Sequence, residues 1–431
     1  MSILVRDSKI VNAWCLYDWA NSVYSLTITS AIFPVYYQSV AVNADGGDLI
    51  NFFGFKVINS VLYSYALSFS FLVVAILLPL LSGVADYTGK KKLFLRIFMF
   101  IGSFGCLGLY FFDGSNVEWA IICSIMASIG YSSSLVFYDA FLPEIAPPDQ
   151  TDRISAKGYS WGYIGGVILL IANILTIQFY EELGLPGEAA ATRISFLTVG
   201  IWWILFATIS LSYLPDNVFD RKPHGNIFLN GYRELRNVWN DLKMQPETRK
   251  FLLAFFLYNT GVQTVMYLAA LFGEKELEMD SGKLIMTVLI IQFVGVVGAY
   301  LFAYISKMFG NIQSLLIMVV IWIGICISAY FVTIEEEFYA LATVVGLVMG
   351  GIQALSRATF SKIIPDNTID HASYFSFYDV TFNISIVVGT FSYGLVEQIT
   401  GSMRNSAMAL AFFFVLGLFV LMNVKIPRSA R

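Results

Sequence analysis

The sequence is short of charge. Of its 431 residues only 13% are Asp, Glu, Lys or Arg, 26 basic and 30 acidic, where a soluble chain of this length carries roughly 108. With 57% apolar residues and a mean hydropathy of +0.70, a soluble globular enzyme is excluded. The net charge of −4 offers no basic surface for nucleic acid, and ordinary Gly and Pro contents exclude collagen and disorder. Histidine and cysteine are scarce too. His224 and His371 are the only two histidines, and both fall in polar connecting stretches, so proton chemistry at membrane depth must use carboxylates. Cys15, Cys106, Cys123 and Cys326 stand singly in apolar runs without C-x-x-C spacing. They read as small apolar packing groups, not a disulfide frame or zinc site. No metal and no cofactor is expected.

What the chain has instead is long apolar runs. About 20 apolar residues cross the hydrocarbon core, and twelve runs qualify, near 11–42, 57–82, 93–112, 118–141, 156–179, 194–214, 250–273, 283–306, 313–333, 338–359, 373–399 and 406–424. The first is about twice too long for a signal peptide's apolar region and contains Asp18, so it reads as a span. With a cytoplasmic N-terminus, 21 of the 26 bases fall inside, and only Lys56, Arg193, Lys275, Lys283 and Arg404 fall outside. The outer connections are acidic, as in Glu335-Glu336-Glu337. Positive residues mark cytoplasmic loops, so both termini are expected inside, in a multi-pass protein of the cell (inner or plasma) membrane.

The longest connection divides the chain into a bundle at 1–214, a linker at 215–249 and a second bundle at 250–431. Within the linker, Phe228, Tyr232, Leu235, Trp239 and Leu242 recur at alternating intervals of 4 and 3. That spacing predicts an amphipathic helix, at the inner membrane surface or as a plain inter-domain connection. Pro148-Asp149-Gln150-Thr151 is echoed 217 residues on by Pro365-Asp366-Asn367-Thr368. Repeated halves around a midplane site are the usual plan of secondary transporters.

Ser82-Gly83-Val84-Ala85-Asp86-Tyr87-Thr88-Gly89-Lys90-Lys91-Lys92 resembles the signature loop of the major facilitator superfamily, Gly-x-x-x-Asp-(Arg/Lys)-x-Gly-(Arg/Lys)-(Arg/Lys). Ser82 stands in the leading Gly place and Tyr87 replaces a base. Leu16-Tyr17-Asp18-Trp19-Ala20-Asn21-Ser22, Phe137 to Ile145, Arg153 to Gly158 and Gly350 to Arg357 are similar to the vacuole-effluxer branch, also called the unknown major facilitator family. The likeness covers about 11–424. It implies an all-α facilitator fold with twelve transmembrane helices in two six-helix bundles. The eukaryotic relatives it points to export amino acids from vacuoles. By the same resemblance Asp86, with Gly89, Lys90 and Lys91, latches the halves at the inner face.

An Asp near a helix centre costs on the order of 2.5–3.5 kcal/mol on insertion scales and usually marks a pathway. Trp14, Asp18, Asn21 and Ser22 share one face of the first run, and Asp379 and Asn383 share one face of the eleventh. They are expected to line the route, with Asp18 or Asp379 taking up a proton. Alternatively, each Asp pairs with a base such as Arg153, Lys157 or Arg357. Asn259, Gln263 and Tyr267 form another polar face and Gln353 a further lining group. Asp139, Glu144, Arg153, Lys157 and Arg357 lie nearer the inner ends and read as gating pairs, although Arg357 has the chemistry to hold a substrate carboxylate. Gly158, Gly162 and Gly166 recur at the close-packing interval of four, and the resemblance implies that they face Gly295 and Gly298, as a sliding surface.

Gly158-Tyr159-Ser160-Trp161-Gly162 matches G-x-S-x-G, but a serine protease needs a base at membrane depth, and Lys157 reads as snorkelling to the interface. No Walker loop or H-E-x-x-H is present, so no enzyme is expected. The expectation is therefore a secondary active transporter, an effluxer of small polar solutes such as amino acids, monomeric, with protons as a further partner. The competing reading is a transport-inactive sensor or lipid-handling protein on the same fold.

Overall fold

The computed structural model describes residues 8–43, 46–47, 49–216, 219–365 and 368–425. The echo at Asp366 and Asn367 lies outside them. Eleven helices among the described residues are long and apolar enough to cross a membrane. They are α3 (Asn59–Thr88), α4 (Lys91–Leu109), α5 (Val117–Asp139, continued by the short α6, Leu142–Ile145), α7 (Thr151–Gln178), α8 (Glu188–Tyr213), α10 (Pro246–Leu277), α11 (Ser281–Phe309), α12 (Asn311–Phe331), α13 (Glu335–Ile363), α14 (His371–Thr400) and α15 (Met403–Leu421).

The first apolar run is built differently from the rest. It runs as α1 (Ser8–Val23), a π-helical stretch (Tyr24–Ala31) and α2 (Phe33–Val40), with Pro34 opening α2. A π-helical stretch widens the backbone and often marks a functional place in a helix. Here it carries Tyr24, Ser25, Leu26, Thr29 and Ser30 into a central cavity. Just beyond it lies a hairpin, β1 (Leu49–Phe52) against β2 (Phe55–Ile58), which takes in Val57 and Ile58, the first two residues of the expected second run. Phe53 and Gly54 make its turn at φ 47° and 88°.

Helix ends follow local chemistry. Gly89 closes α3 at φ 67°, donating its N–H to Asp86 O, a left-handed position that suits glycine. Asp280 caps α11 by accepting from the Lys283 N–H at 3.0 Å, and three glutamates fill the first turn of α13, where the helix dipole favours them.

Within the N-terminal part α1 packs on α7 and α8, and α4 on α5 and α8. In the C-terminal part α10 packs on α14 and α15, and α11 on α13. Helices α3, α5 and α7 meet α14, α11 and α13 across the middle. The glycines of α7 correct the sequence expectation. Side chains added at Gly158, Gly162 and Gly166 would strike Trp14, Asp18, Ser22 and Leu26 of the first run, so this stripe packs α7 against α1 in its own half. Gly298 abuts Leu347 of α13, and Gly295 lies between Gly350 of α13 and the Tyr163 ring of α7, 3.2 Å from an added Cβ. Gly295 therefore does face α7, but a tyrosine rather than its glycines, because the interval of four allows close approach without specifying the partner.

The expected linker helix is α9 (Ile227–Met244), capped by Asn226 through the Leu229 N–H at 3.1 Å. It lies on α3, with Gly231 against Gly83 and Val84. Trp239 packs 5.5 Å from Phe377 of α14. Its apolar row divides: Leu242 is buried, while Phe228 and Tyr232 are exposed.

Candidate functional site

The central cavity holds about 1450 Å³ of empty space, its open mouth included. It begins at Asp18, Asp139 and Arg357 and runs along the helices toward Thr29, Ser30 and Ile386, away from the base-rich face. Six tyrosines line it (Tyr24, Tyr131, Tyr159, Tyr163, Tyr267 and Tyr378), with the amides of Gln263, Gln292, Gln353 and Asn383 and the hydroxyls of Ser22, Ser25, Ser128 and Ser132. Only four charged side chains belong to the described lining: Asp18, Asp139, Asp379 and Arg357.

Arg357 forms the floor. It is 1% exposed and reaches from α13 into the N-terminal helices. Its Nη1 donates to Asp18 Oδ2 at 3.3 Å and Asp139 Oδ1 at 3.1 Å. Nη2 donates to Ser155 O at 3.0 Å and Asp18 Oδ2 at 3.4 Å, and Nε to Ser155 Oγ at 3.0 Å. All five N–H groups of the guanidinium are engaged. The rings of Tyr159, Trp14 and Tyr138 lie 4.1, 4.7 and 5.6 Å from its central carbon, adding cation–π attraction in a desolvated place. Tyr138 also donates to Asp18 Oδ2 at 2.7 Å. A buried charge is tolerable only when paired and hydrogen-bonded, and this cluster meets that condition.

Two alternatives of the sequence reading are therefore combined in Asp18, which both lines the cavity and pairs with Arg357. Arg357, expected near an inner gate, sits at the cavity floor, and Asp139 sits there with it, because α13 and α5 bring their polar ends together below the cavity. Lys157 instead donates to Asn12 Oδ1 at 2.5 Å, and Arg153 is exposed, with no ion pair among the described residues. Ser22, Gln263, Tyr267, Gln353, Asp379 and Asn383 line the cavity. Trp14, Asn21 and Asn259 do not. Trp14 stacks on Tyr138 at 4.5 Å, Asn21 is buried beside Ser22, and Asn259 donates to Ser385 Oγ at 2.7 Å. Sequence reasoning passed over Tyr163, whose hydroxyl donates to Gln353 Oε1 across the middle at 2.7 Å. The polar-face periodicity that found Asn259 assigns no such role to a tyrosine.

The base-rich face below the floor is tied across the chain. Asp86 accepts from the Ala372 and Ser373 N–H groups at 3.2 and 2.7 Å, a carboxylate on the N-terminus of α14. Glu144 pairs with Lys91 and, at 3.0 Å, with His371 Nδ1. His371 is thus a buried first residue of α14 rather than part of a polar connection. Asp152 accepts from Ser306 at 2.8 Å and Asn311 at 2.7 Å and pairs with Lys362 at 2.8 Å. Lys90 is exposed beside the Gly89 cap. At the opposite face, the pairs Lys275–Glu397, Lys283–Glu335 and Arg404–Glu276 all stay within α10–α15. The cavity is closed below and open above.

Residues 6–431 match the family model described as vacuole effluxer Atg22 like. The chain is 30% identical to the uncharacterized MFS-type transporter YxiO of Bacillus subtilis over 97% of this chain and 95% of that protein. It is 25% identical to autophagy-related protein 22 of Kluyveromyces lactis, covering 85% and 80%. Among solved structures it superposes on the facilitator FucP in its outward conformation with a TM-score of 0.72 at 13% identity, covering 97% of this chain and 98% of that one. It also superposes on the human organic anion transporter MFSD10 with a TM-score of 0.73 at 12% identity, covering 96% and 100%. At these identities the structural likeness establishes the major facilitator fold.

Proposed function

This chain belongs to the vacuole effluxer Atg22-like family of major facilitator transporters, and we propose that it moves a small polar solute across the membrane by alternating access. In this reading residues 1–214 rock against 250–431, the strap 215–249 joins them, twelve spans cross the bilayer and both termini are cytoplasmic. The direction is efflux, and amino acids are the first solutes to test.

One observation carries the proposal: Arg357 of the C-terminal part is held by Asp18, Asp139 and Ser155 of the N-terminal part at the closed end of a solute-sized cavity. Opening the base-rich face requires those contacts to break. An exchange of partners at Asp18 makes that affordable, since a proton on its carboxylate removes half of the opposite charge that holds the guanidinium. Solute binding above and charge exchange below then act on one element. The enzyme reading has no support in this geometry: Lys157, the base it needed, points to Asn12.

The test is solute uptake or release by proteoliposomes under an imposed pH gradient, comparing the wild-type chain with Asp18→Asn. Gradient-driven flux in the wild type and its loss in a normally inserted Asp18→Asn protein are expected. Full gradient-driven flux by the variant would remove Asp18 from coupling.

A further inference from the structure

Asp379 stands apart from the cluster on the floor. It lies on α14, is 7% exposed, and lines the cavity. Its Oδ2 is buried with no hydrogen-bond partner, and no base among the described residues pairs with it. Among the described residues the charged group that acts on it is Asp139, another acid. A buried carboxylate is normally compensated by a cation or by donors, and this one, on a residue that lines the solute cavity, has neither among the described residues. The opposite kind of vacancy is missing: every N–H of Arg357, the only base of the described lining, is already used. A solute carboxylate therefore finds no free cation, while an ammonium finds an unpartnered carboxyl. The lining tyrosines Tyr159, Tyr163 and Tyr378 and neighbouring Phe382 add ring faces that attract a cation, and the glutamine and asparagine amides supply acceptors for its remaining N–H groups.

We propose that the solute is an organic amine of net positive charge and that Asp379 receives its ammonium group. The proposal rests on the transport reading and divides its labour: Asp18 exchanges partners to couple movement, and Asp379 recognises cargo.

The experiment is equilibrium calorimetry on the purified full-length chain in detergent, which needs no flux. The probes are tyramine, putrescine and agmatine as cations, N-acetyltyramine as the uncharged partner of tyramine, tyrosine as the zwitterion and 4-hydroxyphenylpropionate as the anion. At least one of the three amines is expected to bind, with acetylation abolishing any binding of tyramine and the anion silent. Asp379→Asn should weaken the bound amine about ten- to a hundredfold, the effect of losing a charge-assisted hydrogen bond. Asp379→Glu, which keeps the charge, should retain most of the affinity and shows that the Asn effect is not a folding defect. The proposal is overturned if no amine binds, if the zwitterion or anion binds more tightly than every amine, or if Asp379→Asn binds as the wild type does. Flux without amine binding would sink this inference and leave the transport reading standing, and amine binding without flux would do the reverse.

Discussion

Replacing Arg357 with Gln removes the guanidinium that joins the two parts of the chain at the cavity floor. The substitution deletes five N–H contacts and leaves Asp18 and Asp139 buried without a counter-charge. Breaking a buried ion pair from one side costs about 3–5 kcal/mol. That cost is borne by the state in which the pair is made, the one closed at the base-rich face. In the opposite state the carboxylates are released toward water and lose less. Taking the lower figure, the equilibrium shifts toward the state open at the base-rich face by about a hundredfold. Spin labels at Ser115 and Glu336 report the acidic face, and labels at Lys90 and Lys307 the base-rich face. All four positions are exposed, and the four native cysteines are buried, so engineered cysteines label cleanly. Pulsed dipolar spectroscopy should show the first distance shorten and the second lengthen in Arg357→Gln, with Arg357→Gln/Asp18→Asn/Asp139→Asn restoring part of the shift. Unchanged distributions in a folded Arg357→Gln protein would refute the reasoning that this cluster holds the halves.

Three further outcomes follow from the same contacts. Asp86→Asn loses a charge on the first turn of α14 and weakens two N–H bonds, worth up to about 2 kcal/mol in a buried setting, so the same label pairs should move in the direction of Arg357→Gln but by less. Gly158→Ala places a Cβ 2.6 Å from Asp18 Oδ2 and 2.9 Å from Trp14, and the overpacking should cost about 1–3 kcal/mol, read as a lower thermal midpoint in detergent; Gly324→Ala, on the exposed side of α12 with nothing within 4 Å of the added Cβ, is the control. Asp379→Asn should leave the solute-free midpoint unchanged or raise it, since it replaces a buried carboxyl that has no partner, whereas Asp18→Asn should lower it by depriving Arg357 of a partner; equal losses in both would contradict the difference drawn between them.

The spans were legible because long apolar runs have few uses other than crossing a bilayer. Eleven of the twelve expected runs have a single membrane-length helix over them. The first differs through its π-helical middle, which is invisible to hydropathy because Tyr24, Ser25 and Thr29 would fit an α-helix as well. The hairpin at Leu49–Ile58 was hidden for a related reason: Val57 and Ile58 merge with the apolar run that follows. At the site, periodicity picked out Asp18, Gln263, Gln353, Asp379 and Asn383 one helix at a time, since a polar face on a membrane helix has to point somewhere protected. It left open which base meets Asp18. Arg153, Lys157 and Arg357 all lay near enough in depth, and the choice depends on packing between residues 339 positions apart. The glycines of α7 show the same limit, a spacing that announces close contact without naming the neighbour.

Solute movement through one cavity opened alternately at two faces is the central claim, and a lock on the tied face tests it most directly. The Asp86 carboxylate accepts from the Ser373 N–H across that face at 2.7 Å, so the chain carrying Asp86→Cys and Ser373→Cys brings two thiols to opposite sides of the closed face, and oxidation that links them gives a closed-below form. Reconstituted with a mixed metabolite load, it is expected to release solute when reduced, to stop when oxidised, and to resume on adding a reductant. Equal release by the oxidised and reduced forms, with the cross-link verified, would contradict alternating access in this protein.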